Sequence, residues 1–303
     1  MTGLVLAAGV GKRLAPLTDD RPKGLIELGG RSLLARLLDG FAAAGVRETH
    51  LVVGYKHEMI RAHLGASHRG MPLRYLENPA YTKGPRLSLW TGRATFERDD
   101  VVLADGDVLF APPLLTRVIQ AAEPNVFLAE PELVDTGEEL ILYIVGGVQT
   151  RPPSRPLGLA HPQGGYPAPD PKRPLATALA AGPMPSPNGE GIGPASPLAR
   201  VVAIRRGIAG APTTPYEARA EWVGFVKVGR AAGIELAATL ETMIRESRID
   251  GDYEVALDTL LIRHRFVSCS TEGLPWIEID FPQDLHAAEA EVLPRIARLE
   301  GST

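Results

Sequence analysis

The residues best suited to chemistry lie close to the start of this 303-residue chain. An apolar run ends at Ala8 and leads into a turn that contains Gly9 and Gly11, and two cations, Lys12 and Arg13, follow directly. Glycines allow the backbone to approach a phosphate chain closely, and free N–H groups and cations then neutralise its charge. This turn therefore predicts a site for a nucleoside triphosphate at the edge of a sheet.

A third cation, Lys23, stands directly behind Pro22. The turn lacks the third glycine of the dinucleotide-binding fingerprint, because Leu14 occupies that position. It also lacks the Ser or Thr of a P-loop, because Arg13 follows Lys12. A dinucleotide-binding oxidoreductase is therefore disfavoured, whereas a triphosphate-handling protein stays open.

Two pairs of acids follow later apolar runs. Asp105 and Asp107 come after the run 101–104, and Glu278 and Asp280 lie near the end of a predicted strand, where they would project to the same side. Mg²⁺ prefers such hard oxygen ligands and shares them with phosphates. Both pairs also have simpler interpretations, since the first could be an acidic turn and Asp280 could cap a helix.

The elements that must position these residues alternate between strand and helix in the first half of the chain. Strands are predicted over 4–8, 50–53, 73–77, 101–104 and 125–130, and helices over 33–44, 58–64, 87–96 and 113–121. This rhythm predicts an α/β fold with a Rossmann-like, mostly parallel mixed sheet and helices on both faces. In such sheets ligands bind beyond the carboxyl ends of the strands, where the glycine turn and Asp105 would both lie.

The rhythm stops near residue 150. Residues 151–197 hold 13 of the 27 prolines and seven glycines, a composition that cannot form much core. We interpret 1–303 as a single domain and 151–197 as an insertion, either a surface loop, a lid or a contact in a homodimer. Beyond it, strands are predicted over 198–205, 222–228, 266–270 and 276–279, and helices over 231–244, 253–262 and 282–298.

The bulk properties exclude several classes of partner. The net charge is −4 and no basic stripe stands out, which argues against a nucleic acid polymer. The single cysteine suits a reducing compartment. No run approaches the roughly 18 apolar residues of a membrane span, and the N-terminus lacks the features of a signal peptide. These observations predict a cytoplasmic protein without a membrane span.

The N-terminal segment resembles the signature of the nucleotidyltransferase family, the sugar-phosphate and alcohol-phosphate pyrophosphorylases. The match covers Leu6, Ala7, Ala8, Gly9, Gly11, Arg13, Leu14, Pro22, Lys23 and Leu25. Residues 276–285 are similar to a stretch near the end of the choline-phosphate-type cytidylyltransferases, a subgroup that acts on small phosphorylated alcohols, phosphonates and inositol phosphates.

The resemblance implies a role for each matching residue. Asp107 and Asp280 would hold one or two Mg²⁺ ions, and Lys23 would lie between the α-phosphate and the acceptor. Catalysis would involve Lys23, Arg13 and Asp107. The nucleotide would contact Leu6, Ala7, Ala8, Gly9, Gly11, Lys12, Arg13, Lys23, Ser88 and Asp105.

The acceptor side matches the family less fully. Pro85 stands where the family commonly carries a hydrogen-bonding Asn, and Arg86 adds a charge that could meet an anionic substrate. The acceptor would contact Arg86, Trp222, Tyr253, Glu254 and Glu278. Simpler interpretations also exist: Trp222 could be a core residue, Glu254 a helix cap and Lys12 a solvated surface charge.

The implied reaction is nucleotidyl transfer, in which an acceptor phosphate or phosphonate attacks a nucleoside triphosphate and pyrophosphate leaves. The resemblance at residues 276–285 favours CTP and a small phosphorylated alcohol or phosphonate. The alternatives are a sugar-1-phosphate nucleotidyltransferase that uses UTP, GTP or dTTP, and a nucleotide-sensing homologue that has lost catalysis.

Overall fold

The computed structural model describes residues 1–132, 139–145, 199–206 and 218–301. These ranges form a mixed α/β fold in which helices pack on both faces of one large sheet, and the predicted fold class is confirmed. The predicted insertion at 151–197 lies outside the described residues, so its boundaries and role stay a prediction.

The described strands range from two to eleven residues in length. In chain order they are β1 (Thr2–Ala7), β2 (Glu27–Leu28), β3 (Arg31–Ser32), β4 (Glu48–Val53), β5 (Ser67–His68), β6 (Met71–Glu77), β7 (Val101–Asp105), β8 (Val108–Phe110), β9 (Val126–Glu130), β10 (Leu140–Val145), β11 (Arg200–Arg206), β12 (Ala218–Val228), β13 (Phe266–Ser270) and β14 (Trp276–Glu278).

The described helices fall between these strands and after the last one. They are α1 (Leu33–Ala43), α2 (His57–Leu64), α3 (Pro85–Thr91), α4 (Ala94–Arg98), α5 (Pro112–Gln120), α6 (Arg230–Arg245), α7 (Glu254–Leu260), α8 (Pro282–Ala287) and α9 (Leu293–Glu300). Short 3₁₀ turns cover Lys12–Leu14, Lys23–Leu25 and Tyr81–Lys83.

The main sheet of the described residues has the strand order β10-β11-β13-β9-β12-β7-β1-β4-β6-β5. Its parallel half contains β7, β1, β4 and β6, whereas β12 runs antiparallel between β7 and β9. The carboxyl ends of β1 and β7 therefore meet at one edge, in the register that pairs Leu6 with Asp105. This is the edge at which the sequence places the glycine turn.

In β1, residues 4–7 are apolar, and both faces of the sheet are covered there. Leu4 packs into the core on one face of the sheet and Val5 into the core on the other, and neither side chain is exposed. A continuous apolar run is typical of a parallel strand with helices on both sides. The sheet can therefore hold the turn after Ala7 on a rigid support.

The first helix begins where the sequence predicts. Ser32 is its N-cap, and its hydroxyl oxygen accepts a hydrogen bond from the backbone N–H of Ala35 at 3.3 Å. An N-cap of this kind satisfies one of the free donors in the first helical turn. The side chains of Leu34, Leu37 and Phe41 are buried against the sheet at helical spacing.

A separate two-stranded ribbon, formed by β8 and β14, joins the middle of the chain to its C-terminal part. The strands are antiparallel and pair Val108 with Glu278, and the backbone N–H of Ile279 donates to the carbonyl oxygen of Asp107 at 3.0 Å. The ribbon packs on a small core beneath α8 and α9. Asp107, just before β8, and Asp280, just after β14, are thereby held next to each other although they are far apart in sequence.

Two predicted helices differ from the observed ones. The helix predicted over 87–96 is two helices, because Gly92, a poor helix former, ends α3. The helix predicted over 282–298 contains a π-helical turn at Ala288–Val292 between α8 and α9. Pro294 explains that turn, since proline has no N–H to donate to the carbonyl oxygen four residues earlier.

No helix in the described ranges is both long and apolar enough to cross a membrane.

Candidate functional site

A cleft of about 500 Å³ opens at the carboxyl ends of β1 and β7. Its walls come from the glycine turn, the ribbon, β12 and the start of α7. Most of the predicted site residues line it, namely Leu6, Ala7, Gly9, Gly11, Lys12, Arg13, Lys23, Asp105, Asp107, Trp222, Tyr253, Glu254, Glu278 and Asp280.

Gly11 has a backbone conformation that a side chain would strain. Its φ is 69°, and a Cβ atom there would come within 3.1 Å of the Cβ atom of Lys23. The hydroxyl of Thr18 donates to the carbonyl oxygen of Gly11 at 2.9 Å and fixes the turn from behind. By contrast, a Cβ atom at Gly9 would meet nothing within 4 Å, so packing does not explain that glycine.

Lys23 bridges the two acids that the sequence assigns to a metal. Its Nζ donates to Asp107 Oδ2 at 2.8 Å and to Asp280 Oδ1 at 2.6 Å. The Lys23 side chain is only 12% exposed. Burial opposes its charge, but Asp107 and Asp280 outweigh burial and hold the pKa of Lys23 above its usual range.

Asp280 is held from several directions. Its Oδ2 accepts a hydrogen bond from Nη2 of Arg13, and the guanidinium of Arg13 also lies over the ring of Phe281, 4.9 Å from its centroid. The carboxylate of Asp284 accepts from the backbone N–H groups of Asp280 and Phe281, at 2.8 and 2.6 Å. The sequence analysis gave Asp284 no role, although an acid at the third position of a helix signals such a cap.

Three acids at one end of the β8–β14 ribbon have the composition of a divalent metal site. Asp107, Glu278 and Asp280 each offer a carboxylate oxygen, and these oxygens lie within 4.8 Å of one another. Asp107 Oδ1 is buried and has no hydrogen-bond partner among the described residues. An uncompensated carboxylate oxygen beside other hard oxygen ligands fits Mg²⁺, so these residues could hold that ion.

Asp105 lies deeper in the cleft and is paired with a tyrosine. The hydroxyl of Tyr253 lies 3.0 and 2.9 Å from the two carboxylate oxygens of Asp105 and donates to them. Burial, with the charges of Asp107 and Glu254, raises the pKa of Asp105 well above its usual value. Burial raises the pKa of Tyr253 as well. The hydrogen bonds between these two side chains fix their positions in the cleft.

Glu254 is a buried acid at the start of α7. Burial raises its pKa to about 7, and its Oε2 is buried without a hydrogen-bond partner in the part of the chain that the structure describes. A carboxyl group of this kind is costly to leave unsatisfied. It could therefore accept a hydrogen bond from a group of a bound ligand.

A second set of acids, Glu221, Glu139 and Glu130, was not predicted from the sequence, and two of its members, Glu221 and Glu139, line the cleft. Glu221 on β12 is paired in register with Glu130 on β9, and Glu139 precedes β10. Burial, followed by the charges of Glu139 and Glu130, raises the pKa of Glu221 to about 8. Trp276 donates from Nε1 to Glu130 at 3.1 Å. Only the pairing of strands distant in sequence reveals this group.

Three predicted site residues do not line the cleft. Ala8 is buried, and its carbonyl oxygen accepts from the backbone N–H of Tyr55 at 3.0 Å. Ser88 is buried on α3 and accepts from Nδ2 of Asn78 at 3.0 Å. The guanidinium of Arg86 is likewise turned inward, as described next.

The placement of Arg86 argues against the predicted contact with an anionic substrate. Arg86 is 7% exposed. Its guanidinium donates to the carbonyl oxygen of Arg248 at 2.8 Å and to that of Asp252 at 3.2 and 3.0 Å. The charge fixes the backbone just before Tyr253 and Glu254, because carbonyl oxygens that lie inside the protein need donors.

Trp222 faces both the core and the cleft. Its Nε1 donates to the carbonyl oxygen of Phe225 at 2.9 Å, and its ring packs edge-on against Tyr253 with 5.9 Å between centroids. The register of β12 shifts after Trp222. The predicted core role and the predicted cleft position are therefore both observed for this residue.

The mixed α/β fold of the described residues is shared with solved nucleotidyltransferase structures. The structure matches the inositol-1-phosphate CTP transferase of T. maritima with a TM-score of 0.62 and 18% identity, over 97% of this chain and 95% of the other. At that identity the likeness concerns the fold alone.

Sequence comparison gives matches to the first part of the chain. Residues 3–143 match the family model described as a MobA-like NTP transferase domain. A match of 35% identity over 147 residues links the chain to the CMP-5'-(3-aminopropyl)phosphonate synthase of Streptomyces rubellomurinus, covering 48% of this chain and 23% of the other.

A second relative carries a different name. The UTP–glucose-1-phosphate uridylyltransferase AglF of Haloferax volcanii is 38% identical over 110 residues, which cover 36% of this chain and 44% of the other. The chain thus matches less than half the length of either of these relatives.

Proposed function

We propose that this protein is a Mg²⁺-dependent nucleotidyltransferase that couples CTP to a small phosphorylated alcohol or phosphonate and releases pyrophosphate. The observation that carries the proposal is the convergence of Lys23, Asp107 and Asp280 at the mouth of the glycine turn. The cations of Lys12, Arg13 and Lys23 lie in the same cleft as these two acids, at the place where a triphosphate would bind. A structural role alone does not call for that convergence at the edge of an open cleft.

The acceptor needs no general base in this scheme. The second pKa of a phosphate monoester is about 6, so the acceptor oxygen is already anionic at neutral pH and can attack the α-phosphorus in line. The difficulty is the approach of two polyanions. Residues that neutralise charge therefore matter more than a side-chain nucleophile.

The residues of the cleft divide this task. The backbone of the glycine turn and the side chains of Lys12 and Arg13 would bind the triphosphate, and Lys23 would contact the α-phosphate and the acceptor. Asp107 and Asp280 would hold Mg²⁺, with Glu278 beside them. The ion would supply charge neutralisation at the reacting phosphates.

The far end of the cleft favours an acceptor with a cationic group. Glu221 and Glu139 bring carboxyl groups to that end, Glu254 keeps a buried oxygen without a partner, and Trp222 and Tyr253 add aromatic surface. An ammonium group would stabilise the ionised form of these acids and could lie against a ring face. The relative named for (3-aminopropyl)phosphonate is consistent with this chemistry.

A sugar-1-phosphate nucleotidyltransferase is the second candidate, because the uridylyltransferase relative shows higher identity over its shorter match. A nucleotide-sensing homologue without catalysis is the third. The three candidates differ in what they consume. The nucleotide and acceptor that support pyrophosphate release separate the first two, and nucleotide binding without release identifies the last.

The test is a matrix of pyrophosphate-release assays with Mg²⁺. CTP, UTP, GTP and dTTP are each combined with aminoalkylphosphonates, phosphorylated amino alcohols, inositol phosphate and sugar 1-phosphates. We expect release with CTP and an amino-bearing acceptor. Release only with a sugar 1-phosphate would move the assignment to the second candidate. Tight CTP binding in calorimetry without any release would leave a sensor.

A further inference from the structure

We propose that Lys23 is the built-in counter-cation of the acid pair and that a divalent ion binds only after its ammonium group has left Asp107 and Asp280 for the triphosphate. Metal and triphosphate would then bind together rather than separately. The inference rests on the proposed function for its ligand, but it concerns the free protein and can be tested without turnover.

The first support is the occupancy of the carboxylate oxygens. Lys23 takes Asp107 Oδ2 and Asp280 Oδ1, and Arg13 takes Asp280 Oδ2. Of the four carboxylate oxygens of Asp107 and Asp280, only Asp107 Oδ1 is left, and it is buried without a partner among the described residues. Mg²⁺ needs direct oxygen ligands at about 2.0–2.1 Å. The ammonium group and the ion would therefore compete for the same oxygens.

The second support is electrostatic. Lys23 and Asp280 are each 12% exposed, so water screens their charges only weakly. A divalent ion placed on these carboxylates would face the ammonium group at short range in a partly dry site, and like charges repel strongly there. Without a new partner for Lys23, entry of the ion is disfavoured.

The third support is the path open to Lys23. The aliphatic part of the Lys23 side chain lies against Gly11. A Cβ atom added to Gly11 would lie 3.1 Å from the Cβ atom of Lys23 and 3.5 Å from the Cδ atom of Lys23. The ammonium group can therefore reach a phosphate chain bound at the glycine turn by rotation of its own flexible stem.

The backbone of Lys23 is not free to move with the side chain. Residues Lys23–Leu25 form a 3₁₀ turn. Gly24 packs so tightly on α1 that a Cβ atom would lie 2.6 Å from Cγ of Leu34. The exchange is therefore a side-chain movement on a fixed support, which distinguishes it from the closure of a loop.

The experiment measures the binding of Mn²⁺ alone to the full chain by calorimetry and electron paramagnetic resonance. Lys23→Gln keeps a polar but shorter side chain and removes the charge that competes with the ion. We expect it to bind Mn²⁺ at least about tenfold more tightly than the unmodified protein does, a change of about 1.4 kcal/mol. Lys12→Gln removes one charge from the same cleft without touching the acids and should stay within about twofold.

A second measurement keeps the inference falsifiable if Lys23→Gln does not fold. A non-hydrolysable methylene analogue of CTP should raise the Mn²⁺ affinity of the unmodified protein by at least about tenfold, because it gives Lys23 a new partner. In Lys23→Gln that gain should shrink to a few fold. Tight Mn²⁺ binding by the unmodified free protein, or equal Mn²⁺ affinity in both proteins, would overturn the inference.

These outcomes are separable from the proposed function. If Lys23→Gln gains Mn²⁺ affinity but no acceptor ever yields pyrophosphate, the cation exchange holds and the enzyme assignment fails. If pyrophosphate is released but Mn²⁺ affinity changes neither in Lys23→Gln nor with the nucleotide analogue, the enzyme assignment holds and the cation exchange fails.

Discussion

At the scale of single residues, the cleft depends on charges that compensate one another. Lys23 is buried against Asp107 and Asp280, and Arg13 adds a second cation to Asp280. Removing one partner of a buried pair leaves the other uncompensated, which costs more than the pair itself contributes. Substitutions here must therefore be interpreted with a measurement of folding beside that of activity.

The first prediction concerns the two acids. Asp107→Asn and Asp280→Asn keep the shape of the side chain but remove a charged ligand, and we expect each to lower kcat/KM by at least about 100-fold. Circular dichroism should show a folded protein. The control is Asp20→Asn, because Asp20 is exposed and paired with its neighbour Arg21. Near-normal turnover in either acid variant would contradict the metal assignment.

The second prediction concerns pH and stability. The pKa of Glu221 is about 8 in the folded protein against an ordinary value of 4.5, because of burial and the charges of Glu139 and Glu130. The folded state thus binds this proton more tightly than the unfolded state. Its contribution to stability is complete below about pH 4.5 and disappears as the pH rises through 8.

The measurement is the free energy of unfolding of Glu221→Gln at pH 6 and at pH 9. We expect the loss of stability of the unmodified protein between these values to be smaller in the variant by at least about 1 kcal/mol. Glu58→Gln, which changes a highly exposed side chain, is the control. An identical pH dependence in all three proteins would show that Glu221 titrates normally.

At the scale of secondary-structure elements, two connections build the site. The ribbon of β8 and β14 sets the distance between Asp107 and Asp280. Arg86, at the start of α3, ties the backbone of Arg248 and Asp252 to that helix and so places Tyr253 and Glu254. Both connections bring together segments that are far apart in sequence.

The third prediction tests Arg86 as a positioning residue. Arg86→Lys keeps the charge but cannot make the same forked set of hydrogen bonds. We expect the KM for the acceptor to rise about five- to tenfold while the KM for CTP changes less than twofold, with a melting temperature lower by a few degrees. Arg248→Met is the control, since it removes an exposed side chain from the same loop. A higher KM for CTP alone would place Arg86 on the nucleotide side instead.

Sequence reasoning reached some of these elements and not others, for physical reasons. It located α1 because Ser32 and the spacing of its leucines are local signals. It missed β8, a strand of three residues, because so short a run carries no periodicity. It predicted a substrate contact for Arg86 because the added charge could meet an anionic substrate. The carbonyl oxygens that the guanidinium contacts are known only from the structure.

At the scale of the whole molecule, the convergence of Lys23 with the two acids was predictable in kind but not in geometry. The resemblance of the chain to the family named the residues, whereas the bridging position of Lys23 needed the folded sheet. The acids around Glu221 could not be found from sequence, since their proximity arises from the pairing of β12 with β9.

The fourth prediction concerns the segment between β10 and β11. These strands are antiparallel neighbours and pair Val145 with Arg200, so the chain leaves and re-enters the sheet at adjacent positions. Replacing residues 148–197 by a short Gly-Asn turn should therefore keep the fold. It should stabilise the protein by about 2 kcal/mol at most, because a shorter loop costs less entropy to close.

The readouts are the melting temperature and pyrophosphate release. An unchanged or higher melting temperature with unchanged turnover would fit an insertion without a part in the site. A stable protein with greatly reduced turnover would instead assign the segment to catalysis, as a lid. A protein that no longer folds would contradict the single-domain interpretation of 1–303 with an insertion.

The ribbon of β8 and β14 also determines when Asp107 and Asp280 can come together during synthesis. During synthesis the ribosome releases Asp107 long before β14 and Asp280. A nascent chain can therefore fold β1 and the glycine turn while the acid pair is still missing. The proposed metal site can form only after Asp280 has left the ribosome.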